Sequence, residues 1–297
     1  MPSPRSGVAA RIRTGEASVV DFHGCFAWYD LVTTDVEAAK SFYPKVMGWG
    51  AQDVSLPGGA YTLFTAANTV MSGLLELPEG ARKMGENPGW LGYVGVTDVD
   101  GTADQINRLG GAVHVPPTDV PNISRFSIFT DPQTARLALL KWLRRDLEQP
   151  PPLDALGRVG WHELLAADWE QALAFYGGLF GWQKAGAEVG EMGTYQLFSI
   201  AGQTIGGMLN KPAIIPSPFW LYYFNIGDLD AAAEHVKSGG GQVFAGPFEV
   251  PGGTWIVQCT DPQGAMFGLE GRRSSKAPGY FERVAPRDGT PGQRWSW

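Results

Sequence analysis

Apolar and polar residues alternate through FAWYDLV, from Phe26 to Val32, with the two-residue period of a strand that has one covered face. Asp35 then stands where a helix cap belongs. Ala39, Phe42, Tyr43, Val46 and Met47 follow at helical spacing, and Gly48 is placed to end the helix. Pro44 lacks an amide proton and is expected to bend or shorten that helix. Short strands are expected around Tyr61 to Ala66 and Val70 to Leu75. A second cycle opens at Trp90 with a strand to Val96, a cap at Asp98 or Asp100, a helix through Ile106 and Leu109, and a stop at Gly110 and Gly111. Strands over Arg125 to Thr130 and Arg136 to Trp142 complete it.

The whole pattern is then written a second time. WYDLVTTDVEAAKSFYPKVMGW from Trp28 aligns without a gap with WHELLAADWEQALAFYGGLFGW from Trp161, with 9 of 22 positions identical. YTLF at Tyr61 returns as YQLF at Tyr195, and MSGLLELP at Met71 as IGGMLNKP at Ile205. WLGYVGVTDVDGTADQINRLGGAV from Trp90 answers WLYYFNIGDLDAAAEHVKSGGGQV from Trp220, with 9 of 24 identities, and TDPQ occurs at Thr130 and Thr260. The chain is therefore a tandem duplication, and each half holds two units of strand, helix and two or three strands. The expected organisation is an N-terminal extension over 1–21, a first domain over 22–142, a linker over 143–157, a second domain over 158–271, and a C-terminal tail over 272–297. Tyr280, Phe281, Trp295 and Trp297 could strap that tail onto a domain. With 297 residues, each half is long enough to bury a core of its own.

Composition narrows the function. A formal charge of −7 with no basic stripe argues against nucleic-acid binding. No apolar run reaches the ~18 residues that a membrane span requires, and the N-terminus lacks the apolar stretch of a signal peptide. Cys25 and Cys259 are the only cysteines, which excludes a disulfide framework and fits a cytoplasmic location; both are expected as apolar packing.

The motif D(x)6FY…GW in a first helix, DPQ in a late turn, and the pairing of strand-helix-strand units resemble the vicinal oxygen chelate superfamily, which includes glyoxalase I, bleomycin-resistance proteins and extradiol dioxygenases. The resemblance covers residues 24 to 142 and 157 to 271. It implies an α+β fold of tandem glyoxalase-like domains, each built from two βαβββ modules that form curved, cup-like mixed sheets. Within the superfamily the chain looks most like two-domain glyoxalase-like bacterial proteins whose first strand reads W-x-(D/E)-L, as Trp28 to Leu31 and Trp161 to Leu164 do.

The superfamily's enzymes hold one divalent ion through His, Gln and Glu side chains. Transferred onto this sequence, the four ligand positions fall on Trp28, Leu91, Ala138 and the neighbourhood of Gly73 in the first half, and on Trp161, Leu221, Gly268 and Gly207 in the second. None of these side chains coordinates a cation. No metal or other cofactor is therefore expected, with an indole filling the volume of the ion; the alternative is one displaced divalent metal such as Ni, Zn, Fe or Mn.

Alternation places Trp28 and Asp30 on one face and Trp161 and Glu163 on the equivalent one, with Leu31 and Leu164 turned toward the helices. A carboxylate on a concave sheet face is costly unless paired or solvated, so Asp30 and Glu163 either bond backbone amides or an arginine to fix the fold or are the candidate catalytic or ligand-orienting groups. Arg125 is the expected ion-pair partner of Asp30, with Trp255 at its counterpart. Trp28, Trp161, Leu91, Leu221, Tyr93, Tyr223, Arg125 and His162 complete the candidate ligand-binding set. Alternation turns His162 away from the cup, leaving it as packing or as a donor at the rim, with a metal-binding or acid/base role as the alternative. Trp90, Trp220 and Tyr222 are expected on strands flanking the cups. The favoured function is metal-free binding of a small aromatic or antibiotic-like molecule by a monomer or homodimer. The alternative is a lyase, isomerase or dioxygenase acting on a small carbonyl or aromatic substrate.

Overall fold

The computed structural model describes residues 22–56, 59–83, 85–144, 152–190 and 193–274. The first module runs β1 (Phe26–Thr33), α1 (Val36–Met47), β2 (Gly50–Leu56), β3 (Gly59–Ala66) and β4 (Thr69–Glu76). A short helix α2 (Glu79–Lys83) leads to β5 (Gly89–Gly95), α3 (Val99–Arg108), β6 (Ala112–Val120), β7 (Ser124–Thr130) and β8 (Arg136–Trp142). The second half repeats both modules as β9 (Val159–Ala166), α4 (Trp169–Phe180), β10 (Gln183–Gly190), β11 (Gly193–Ile200) and β12 (Gln203–Asn210), then β13 (Phe219–Asp228), α5 (Leu229–Ser238), β14 (Gln242–Glu249), β15 (Trp255–Thr260) and β16 (Met266–Arg272).

Each half is one eight-stranded mixed sheet, ordered β2-β3-β4-β1-β5-β8-β7-β6 and β10-β11-β12-β9-β13-β16-β15-β14. The modules of a half meet at the antiparallel pairs β1–β5 and β9–β13, while each first strand runs parallel to the last strand of its own module. Four aspartates, one per module, start the four long helices: Asp35, Asp98, Asp168 and Asp228 each accept a backbone N–H of the first turn. Pro44 lies inside α1 without ending it; the helix continues to Met47, and the left-handed Gly48 closes it with a 2.9 Å bond to the Pro44 carbonyl. β2 and β10, exposed along most of their length, carry no clean alternation and were not foreseen as strands.

The halves do not bury separate cores. One apolar cluster joins the helix-bearing faces of both sheets, with α1 against α5 and α3 against α4. The repeated FY and TDPQ motifs meet across this boundary. The Tyr43 hydroxyl donates to Asp261 Oδ2 at 3.1 Å and accepts from the Trp90 indole at 3.1 Å. Reciprocally, Tyr176 donates to Asp131 Oδ2 at 2.9 Å and accepts from Trp220 at 3.2 Å. Each aspartate uses Oδ1 to hold its own turn, accepting from Gln133 and Ala135, or from Gln263 and Ala265. Gln133 also exchanges two hydrogen bonds with the backbone of Asp168.

Residues 1–21, and the tail aromatics Tyr280, Phe281, Trp295 and Trp297, lie outside the described residues. The described end of the 143–157 linker is fixed to β13: Gly157 donates to the Asn225 carbonyl, and the Asn225 amide donates to the Leu153 carbonyl, each at 2.7 Å. Cys259 is buried and Cys25 half-buried.

Candidate functional site

Because the helix-bearing faces are joined, the opposite face of each sheet is left to form a cup with a small apolar cluster of its own. Strand register brings the expected positions together there. Asp30 on β1 lies opposite Gly73 on β4 and Leu91 on β5, and Tyr93 lies opposite Ala138 on β8. In the second half Glu163 lies opposite Gly207 and Leu221, and Tyr223 opposite Gly268.

Each cup is centred on its carboxylate, and the carboxylate is held by phenols. Asp30 is 5% exposed and accepts from the Tyr61 hydroxyl at 2.5 Å, the Tyr93 hydroxyl at 2.8 Å and the Trp28 indole at 2.9 Å. Glu163, also 5% exposed, accepts from Tyr195 and Tyr223 at 3.1 Å each. Tyr61 and Tyr195 were not foreseen as site residues. Glycine makes room for them: a Cβ at Gly73 would fall 1.7 Å from the Tyr61 hydroxyl oxygen, and one at Gly207 2.3 Å from the Tyr195 ring. Phenol and carboxyl, rather than indole alone, fill the centre of the cup. The recurrence of a tyrosine in YTLF and YQLF, together with a glycine in the strand that follows, was the available signal.

The cups have diverged. In the first, Trp142 packs edge-on to Trp28 with ring centres 5.7 Å apart, whereas Arg272 is its counterpart in the second half. The Trp28 indole is shared between Asp30 and the Tyr61 oxygen, at 2.9 and 3.0 Å, whereas the Trp161 indole donates to the Tyr195 oxygen at 2.8 Å and not to Glu163. Gln258, at the place of Ile128, donates to the Tyr223 oxygen at 2.7 Å. A cavity of about 160 Å³ opens over Glu163, with Trp161, Tyr195 and Tyr223 around the carboxyl and Leu197, Val250 and Ile256 among the walls. Glu188 and Glu270 also line it.

Burial disfavours the charged form of both carboxyls. It raises Asp30 above the usual aspartate range against the opposing pull of Tyr61, Tyr93 and Trp28. Glu163 has two longer hydrogen bonds to offset the same desolvation, and it is pushed up to about 7. Burial, with the neighbouring carboxylate, raises the four phenols well above their ordinary value, so they act as neutral donors.

Several expected positions fall elsewhere. Arg125 does not reach Asp30: its neighbours Phe126 and Ile128 belong to the cup cluster, so alternation along β7 turns Arg125 to the helix-bearing face, where its guanidinium pairs with Asp100 of α3 at 2.7 Å and with Asp119 at 2.8 Å. His162 is buried behind the cup, stacked on Phe26 at 3.9 Å. It accepts from the Tyr29 hydroxyl at 2.5 Å through Nε2 and donates to the Ile205 carbonyl at 2.7 Å through Nδ1. Burial lowers its pKa to about 3, so it is a neutral core residue and not a rim donor. Trp90, Trp220 and Tyr222 likewise face the shared core.

Two matched stretches cover most of this architecture. Residues 26–139 and 158–269 each match the family described as Glyoxalase/Bleomycin resistance protein/Dioxygenase superfamily. The chain belongs to this superfamily. Among its relatives, "Putative glyoxylase CFP32" of Mycobacterium bovis is 33% identical over 244 residues, covering 82% of this chain and 92% of the relative. "Anthracycline biosynthesis protein DauV" of Streptomyces sp. is 30% identical over 260 residues, covering 83% and 92%. The fold is similar to the Mn(II)-bound glyoxalase of Novosphingobium aromaticivorans, with a TM-score of 0.57 at 14% identity, over 84% of this chain and 82% of that one. It is equally similar to the 2,3-dioxygenase LapB of Pseudomonas sp. KL28, with a TM-score of 0.57 at 11% identity, over 86% and 94%.

The family and its Mn(II)-bound member raise the question of a metal. Among the described residues no three His, Cys, Asp or Glu side chains converge closely enough to hold a metal ion. Each cup centre offers one carboxylate, already hydrogen-bonded to two phenols, among neighbours that are glycine, alanine or leucine. This donor set does not fit a divalent ion, which needs several nitrogen or oxygen ligands converging at about 2 Å.

Proposed function

We propose that the second-half cup binds a small aromatic or antibiotic-like molecule without a metal ion, and that the first-half cup is its structural counterpart. One observation carries this reading: an aromatic-walled cavity of about 160 Å³ lies over the buried Glu163 carboxyl. A dry cavity of ~150 Å³ is known to admit benzene, so a flat ring fits the space. Phenols already fixed by Glu163 and Gln258 present rigid, preorganised walls, which lowers the entropic cost of capture. The relative named for anthracycline biosynthesis supports an aromatic ligand.

Isothermal titration with a panel of one- and two-ring aromatic compounds tests the proposal. The wild-type protein binds a member of the panel, dialysis against EDTA leaves that affinity unchanged, and Ile256→Trp, which fills the cavity, abolishes it. Binding that disappears with EDTA, or that survives Ile256→Trp, would sink the reading.

A second reading is favoured by the position of Glu163 in its titration. A carboxyl near neutrality can take up and return a proton, so an isomerase acting on a small carbonyl compound is compatible with the same site. Incorporation of solvent deuterium next to the carbonyl of a bound aryl ketone, abolished in Glu163→Gln, is the measurement that supports it over simple binding.

A further inference from the structure

The cavity over Glu163 carries an imbalance of charge that its aromatic walls do not resolve. Among the described residues three carboxyl groups line it: the buried Glu163, Glu188 from β10 and Glu270 from β16. Among the described residues that line it there is no lysine, arginine or histidine. Glu188 and Glu270 are half-buried, and Glu270 accepts the Thr254 hydroxyl at 2.8 Å. Glu163 is the most buried of the three, yet only the neutral phenols of Tyr195 and Tyr223 bear on it; no cation among the described residues contributes to its electrostatics.

A buried carboxylate without a counter-charge is costly, and proteins ordinarily pair such a group. Here the unpaired group opens on a cavity lined by the Trp161, Tyr195 and Tyr223 rings, and aromatic rings attract a positive charge as well. From this arrangement we infer that the second-half cup is selective for an aromatic molecule bearing a positively charged nitrogen: its ring lies against the apolar walls and its cation faces Glu163 between the indole and phenol rings. The inference rests on the proposed binding role of this cup and specifies the charge of what it takes.

The divergence between the halves fits the same assignment. In the first cup Asp30 receives three donors, including the Trp28 indole, and is satisfied internally. Both indoles also bond the neighbouring phenol, but only Trp28 reaches its carboxylate as well, so Glu163 has two donors where Asp30 has three.

Three probes of similar size separate the outcomes: benzyltrimethylammonium, whose charge does not depend on pH, neutral benzyl alcohol, and anionic benzenesulfonate. Titration calorimetry on the full-length protein is expected to give an affinity for the ammonium about tenfold or more above that for the alcohol, and no binding of the sulfonate. Glu163→Gln, checked for fold by near-ultraviolet circular dichroism, should bring the ammonium to within a few-fold of the alcohol. The double variant Glu188→Gln/Glu270→Gln should reduce the preference through the other two lining carboxyls alone, independently of how Glu163→Gln folds. Equal or tighter binding of the alcohol or the sulfonate by the wild-type protein would overturn the charge selectivity while leaving aromatic binding intact. Failure of all three probes, together with failure of the wider aromatic panel, would overturn both.

Discussion

Replacing Glu163 with glutamine isolates the energetic effect of burying this carboxyl. In the folded protein the group is raised from 4.5 to about 7. Its folded-state pKa therefore lies above the unfolded one, and the folded protein holds the proton more tightly. The stabilisation is fully present below about pH 4.5 and is lost as pH rises through about 7. Each tenfold change in proton affinity is worth about 1.36 kcal/mol, so the complete titration is worth about 3 kcal/mol. About 1 kcal/mol of that is already gone at about pH 5.5, because the unfolded carboxyl ionises first, which leaves about 2 kcal/mol to be lost by about pH 8.5. Glutamine keeps the shape and stays neutral. Stability measured by urea denaturation of ligand-free protein should thus shift in favour of Glu163→Gln by about 2 kcal/mol across that interval, or roughly 3 °C in Tm for a chain of this size. Taking the difference between the two proteins cancels the other titrating groups. A difference that stays constant from about pH 5.5 to about pH 8.5 would refute the claim that Glu163 is desolvated without a compensating charge.

Further outcomes follow from the same geometry. Tyr43→Phe and Tyr176→Phe each leave a buried aspartate and a Trp indole short of a partner across the shared core, and each should cost about 1–3 kcal/mol by urea denaturation, with both halves unfolding in one transition. Gly207→Ala places a methyl group 2.3 Å from the Tyr195 ring; the ring must swing away from Glu163, and calorimetric affinity for benzyltrimethylammonium should fall about tenfold or more while the protein stays folded. Arg125→Ala removes only surface ion pairs, so both the melting temperature and that affinity should remain unchanged within scatter.

Much of the scaffold was legible because it is periodic. The alternation in β1 and β9 places Trp28, Asp30, Trp161 and Glu163 on the cup faces, and Leu31 and Leu164 in the core, as the two-residue period requires. The capping aspartates and Gly48 likewise stand where local hydrogen bonding needs them. β2 and β10 escaped notice because edge strands wetted on both faces have no covered side to impose an alternation. Arg125 misses Asp30 because the same two-residue period that turns its neighbours Phe126 and Ile128 into the cup turns it toward α3 and Asp100.

By itself, the sequence determined the duplication and its repeated unit of strand, helix and further strands, since both are local or periodic properties of the chain; the βαβββ count and the ligand positions that carry no metal-binding side chain came from the resemblance to the superfamily. Only the tertiary structure decided which groups meet. Tyr61 and Tyr93 reach Asp30 from different strands, Tyr195 and Tyr223 do the same for Glu163, and Tyr43 and Tyr176 bind the aspartate of the opposite half rather than their own. The physical reason is that two copies of one motif offer identical partners within a half and between halves. The choice falls to whichever faces the shared apolar core brings together, and that burial is a property of the assembled sheets rather than of any segment.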